Sequence, residues 1–85
     1  GCAACGQLVQ RLQSSGAEFD LYMVGSRQDD ARIRDWAKRA QIDPARVRAG
    51  SITLNHDGGR WLSLGLPGDL PAAVREVNGQ WQRQP

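Results

Sequence analysis

Apolar residues in this 85-residue chain switch repeatedly between helical and extended spacing before a closing turn, and that alternation places the fold in the α/β class. Leu8, Val9 and Leu12 fall at i, i+1 and i+4, one stripe of a helix between Cys5 and Ser15, with Gly16 as its stop. Phe19, Leu21, Tyr22, Met23 and Val24 then form a short, almost continuous apolar run ended by Gly25. Such a run predicts a strand covered on both faces. The clearest helix lies in SRQDDARIRDWAKRAQI. There Ile33, Trp36, Ala37 and Ala40 repeat at i, i+3, i+4 and i+7, while Arg32, Arg34, Asp35, Lys38 and Arg39 make a solvated face. Ser26 and Asp29 fit a capping box at its start.

The second half is more punctuated. Asp43 followed by Pro44 reads as an N-cap and first helical position, opening a short helical turn. SITLN reads as a strand with Ile52 and Leu54 on one face. Asp57, Gly58 and Gly59 then fit either a hairpin into RWLSL or a loop with one helical turn, and the two glycines disfavour a long helix. PGDLP, with Pro67 and Pro71, is a rigid loop. AAVREV and QWQR flank Asn78-Gly79, the strongest short hairpin signal, with Val74 and Trp81 as its anchors.

A length of 85 residues sets one domain as the expectation, 1–85, with little apolar surface to bury. The abrupt start at Gly1 reads as the edge of a piece cut from a longer protein. The formal net charge is +2, and the arginines are scattered among acids with no basic block. Nucleic acid is therefore not an expected partner. No apolar run approaches the roughly 18 residues of a membrane span, so direct membrane insertion is not expected either.

The chemistry-bearing residues stand at the front. Cys2 and Cys5 are the only cysteines, in a C-x-x-C spacing that opens the first helix. A bridge between them closes a very small loop and removes little chain entropy, which weighs against a purely structural staple. A redox pair, a structural pair and half a metal site all remain open on spacing alone. A helix N-terminus presents free N–H groups and a partial positive charge, which favour a thiolate there. His56, with Cys2, Cys5 and Asp57, supplies enough ligand types for zinc, but a polar turn residue is the reading favoured for His56, and no metal or cofactor is expected. Gly6 after Cys5 excludes the CxxCH of haem attachment. Trp36 and Trp81 read as core anchors, Asn55 and Asp57 as turn and capping groups, and Asp20 and Glu18 as weak candidates for a buried acid beside the disulfide.

The order of these elements resembles the thioredoxin-like fold: a CxxC opening a helix, then strand, helix, strand, and a proline leading into a β-hairpin. The resemblance implies a central mixed sheet with flanking helices. It also implies that Pro71, in DLPAAVREVNGQW, follows a cis peptide bond beside the two sulfurs. Cys2 is then the exposed nucleophile and Cys5 the resolving thiol. FDLYMVGSRQDDARIRDWA, IDPARVRAGSITLNHDGGRW and LPAAVREVNGQWQR further resemble the C-terminal domain of a protein family encoded by integrating conjugative elements, within their mating-pair or type IV secretion clusters. That resemblance covers nearly the whole chain and implies a periplasmic protein whose partners are proteins of the conjugation apparatus. It leaves two functions open. One is thiol–disulfide exchange. The other is a non-catalytic assembly module with a structural CxxC disulfide. A thioredoxin-like fold also has a strand before the CxxC and a closing helix. Neither is in this sequence, which leaves two expectations: the fragment is trimmed, or the fold is completed by upstream chain or by a partner.

Overall fold

The computed structural model describes residues 2–85. Its element order is α1 (Ala3–Ser14), β1 (Phe19–Met23), α2 (Asp30–Arg39), α3 (Pro44–Ala49), β2 (Ile52–His56), α4 (Arg60–Leu64), β3 (Val74–Val77) and β4 (Gln80–Arg83). The result is a mixed α/β fold with small sheets. β1 and β2 pair in parallel, with Phe19 opposite Ile52 and Met23 opposite His56. β3 and β4 pair antiparallel, with Val74 opposite Arg83 and Val77 opposite Gln80. The two pairs stay separate, so no single central sheet runs through the described residues.

The core is small and lies where α1 and α2 meet the parallel pair. Val9, Ala37, Ile42 and Ile52 are buried together, and Phe19, Leu21, Trp36, Val47 and Leu54 pack around them. Ile52 has no exposed surface. β1 differs from the two-sided strand expected of its apolar run. Phe19, Leu21 and Met23 turn inward, while Asp20 and Tyr22 are exposed, so only one face of β1 is covered. Val74 and Trp81 are half-buried and stand outside the core cluster. They anchor the hairpin at its own side of the molecule.

Local signals account for most boundaries. Asp43 caps α3 by accepting from the Ala45 N–H at 2.9 Å, with Pro44 at the first helical position and Gly50 left-handed at the end. Asn78 and Gly79 both take positive φ, 51° and 80°, as a type I′ hairpin turn requires. The start of α2 is different from the expected capping box. Asp29 alone caps the helix, accepting from the Ala31 N–H at 3.0 Å. Arg27 and Gln28 both turn left-handed, which carries Ser26 away from the helix end and into the interior. After β2 the glycines support no hairpin. Gly58 and Gly59 are left-handed and lead into the single helical turn of α4, whose Trp61 N–H donates to the Asp57 carboxylate at 3.0 Å.

Candidate functional site at the start of α1

α1 begins at the cysteines. Cys2 is the N-cap residue, with extended backbone, and its Sγ accepts from the Cys5 N–H at 3.2 Å. The two are joined in a disulfide with a Cα–Cα separation of 5.3 Å. A C-x-x-C on a first helical turn brings both side chains to one side of the helix end, so the spacing itself suits the bridge. Cys2 is exposed and Cys5 half-buried. The first-turn residues Ala3 and Ala4 lie between them and line an open groove of about 960 Å³, as does Gly6 just beyond. Pro71, Ala72 and Ala73 line the same groove, which neither cysteine side chain enters, and the Leu70–Pro71 peptide bond is cis, the isomer implied by the resemblance. The geometry thus brings Pro71 and the CxxC turn to one cavity although 66 positions or more separate them in the chain.

Arg83 is the residue that shapes this wall. Its guanidinium donates to the Pro67 carbonyl at 3.0 Å, the Asp69 carbonyl at 2.5 Å and the Pro71 carbonyl at 3.3 Å. The Gln84 N–H adds a bond to the Ala73 carbonyl at 2.8 Å. β4 therefore carries the proline loop with it, and the five guanidinium N–H donors of arginine suit such a cluster of carbonyls. Gln10 and Gln13 bind the chain beyond α2 to α1. Gln10 Nε2 donates to the Ala40 carbonyl, Gln13 Nε2 to the Gln41 carbonyl at 3.1 Å, and Gln13 Oε1 accepts from the Asp43 N–H at 2.8 Å. None of these polar partners announces itself in sequence, because glutamine and arginine carry no local signal for a partner 12 to 30 positions away.

Comparison with protein-family models, with curated proteins and with solved structures finds no match to this chain. The chemistry of the site is therefore read from its own atoms.

A second polar cluster lies at the end of β2. His56 Nδ1 is 2.5 Å from Ser26 Oγ, and His56 Nε2 is 2.7 Å from Asp30 Oδ1. The hydrogen bond and charge of His56 hold the Asp30 carboxyl below its ordinary value of 3.8. These are the residue types of an acyl-transfer triad, but Ser26 is only 3 % exposed and its hydroxyl is bonded to the His56 ring. The cluster fastens the end of β2 to the start of α2. With both ring nitrogens so engaged, His56 stands apart from the cysteines, and no three His, Cys, Asp or Glu side chains among the described residues converge on one point.

Other expected partners of the disulfide are also placed elsewhere. Glu18 and Asp20 are exposed, and Asp20 accepts from Thr53 Oγ1 at 2.7 Å, so neither is a buried acid. Asn55 makes no turn. Its amide donates to the Leu21 carbonyl at 3.1 Å and to Thr53 Oγ1 at 2.9 Å, inside the parallel pair. Arg60 stacks between Tyr22 and Trp81, with its guanidinium carbon 5.0 and 5.3 Å from the two ring centroids.

Proposed function

We propose that this chain is a thioredoxin-like domain that carries out thiol–disulfide exchange through Cys2 and Cys5, in the periplasm, as a part of a conjugative transfer apparatus. The observation that carries the chemical part is the shared groove. An exposed cysteine caps a twelve-residue helix and is bridged to a half-buried one, and the two residues between them, Ala3 and Ala4, line an open groove together with the Pro71 loop. Exposure of Cys2 lets a partner sulfur approach in line with the bridge. The helix end stabilises the thiolate formed when the bridge opens. The fold reading is supported by the element order and by the hairpin that follows Pro71. Compartment and apparatus rest on the likeness of the sequence segments above to the conjugative-element family.

In the reduced chain the Cys2 thiolate attacks one sulfur of a partner disulfide and expels the other partner sulfur as a thiolate. The Cys5 thiolate, formed by loss of its proton to solvent, then attacks Cys2 Sγ. That closes the Cys2–Cys5 bridge and releases the second partner thiolate. The partner gains two electrons and the chain loses two. The reverse sequence, begun by a partner thiolate on the exposed Cys2 sulfur, oxidises the partner.

The test is trapping. Cys5→Ser retains attack and loses resolution, so it accumulates a mixed disulfide with its partner, whereas Cys2→Ser accumulates none. Transfer of the host element is then measured with both cysteines replaced by serine. Undiminished transfer, together with no trapped species in Cys5→Ser, would leave the assembly-module function in place of exchange.

A further inference from the structure

We infer that the groove lined by Ala3, Ala4 and the Pro71 loop recognises an acidic, extended segment of the partner protein, so that charge selects which partner is held next to the CxxC turn. This rests on the exchange site proposed above and names its substrate class. The groove is lined by Arg11 from the last turn of α1, Arg39 from the last turn of α2 and Arg83 from β4. All three are exposed, and no Asp or Glu lines the groove. Among the described residues the one ion pair is His56 with Asp30, so none of these guanidiniums is neutralised by a carboxylate.

Their contacts divide the three by role. Arg83 spends its donors on the Pro67, Asp69 and Pro71 carbonyls, which leaves its charge in place at the groove wall. Arg11 and Arg39 make no side-chain hydrogen bond to any described residue and keep their full donor sets for a ligand. A chain of net charge +2 thus concentrates three positive groups on the surface that flanks its disulfide. Like charge repels a basic segment from such a wall, and an acidic one is drawn in and held by charge-assisted hydrogen bonds. The groove is open, and the short side chains of Ala3, Ala4, Ala72 and Ala73 in its lining leave room for a peptide backbone.

The experiment uses the full oxidised chain and two labelled, cysteine-free peptides, one alternating Glu with Ser and the other alternating Lys with Ser. Fluorescence anisotropy is expected to show the Glu peptide binding about tenfold more tightly at low salt, with most of that preference gone near 0.3 M salt. Arg11→Gln with Arg39→Gln should reduce the preference to about twofold or less, while Arg11→Lys with Arg39→Lys keeps the charge and most of the preference. Circular dichroism on each variant separates loss of charge from loss of fold. The same preference in Cys2→Ser with Cys5→Ser supports the acidic groove independently of redox activity, so a failure of exchange is read from the trapping experiment alone. Equal binding of the two peptides, a preference that survives both Arg→Gln changes, or equally strong salt-sensitive binding of a single-stranded oligonucleotide would overturn the inference.

Discussion

Two residues joined by one bridge are not equivalent here. Cys2 is exposed at the helix end and Cys5 is half-buried one turn in. After mild reduction, iodoacetamide is expected to label Cys2 well ahead of Cys5, as read by mass spectrometry of the digested chain. Equal labelling would remove the distinction between attacking and resolving sulfur. Asp30 supplies a pH signature of a different kind. Its carboxyl is held low first by the hydrogen bond from His56 and then by the charge of His56. A carboxyl lower in the folded than in the unfolded chain adds stability that is present above the unfolded value and lost as pH falls through the folded one. The thermal midpoint of Asp30→Asn is therefore expected below wild type near neutral pH. The two should converge well below 3.8, the ordinary carboxyl value. Parallel curves across that range would show that the bond to His56 does nothing for the folded state.

Elements are joined by side chains more than by backbone ladders. The hairpin of β3 and β4 shares no ladder with β1 and β2. Arg60 bridges them, its guanidinium between the Tyr22 ring of β1 and the Trp81 ring of β4, and Arg83 lies 6.0 Å from the Trp61 ring centroid. Cation–π contacts at exposed sites contribute about 0.5–1 kcal/mol each. Arg60→Ala is therefore expected to lower the unfolding free energy by about 1–2 kcal/mol, with loss of aliphatic packing included. Urea denaturation followed by tryptophan fluorescence measures it. A change indistinguishable from wild type would show that the two ring contacts of Arg60 add nothing to the folded state. The turn signals at Asp43-Pro44 and Asn78-Gly79 were legible before any tertiary contact was known, because each acts on its own backbone within a few positions. Ser26 was not. It carries the right chemistry for a cap, but the left-handed Arg27 and Gln28 place it against His56 instead.

The whole molecule depends on few buried side chains. Its radius of gyration is 12.7 Å, against about 12 Å for a compact chain of this length. The slight excess agrees with a hairpin set beside the core. Stabilities of about 0.05–0.15 kcal/mol per residue give a total of about 4–13 kcal/mol for such a chain. Ile52→Ala, at the one fully buried large side chain, is expected to cost about 2–5 kcal/mol, and Ile52→Val about 0.5–1.5 kcal/mol. Chemical denaturation should therefore find a much lower midpoint for the alanine variant and only a small shift for the valine variant. Equal losses would mean that the site collapses around either residue. The α/β order, the amphipathic face of α2, the hairpin and the cysteines at a helix start are all readable in the amino-acid order. Each depends on periodicity or on a cap within one or two turns. Four features depend on packing between distant elements: the one open face of β1, the bracing of the sheet by Asn55, the bridge of His56 between Ser26 and Asp30, and the Arg83 bonds that set the Pro71 loop along the groove of Ala3 and Ala4. A polar side chain bonds to whatever backbone or side chain the packing delivers to it, and that partner is set by how distant elements bury Val9, Ile42 and Ile52 together rather than by any neighbour in the chain.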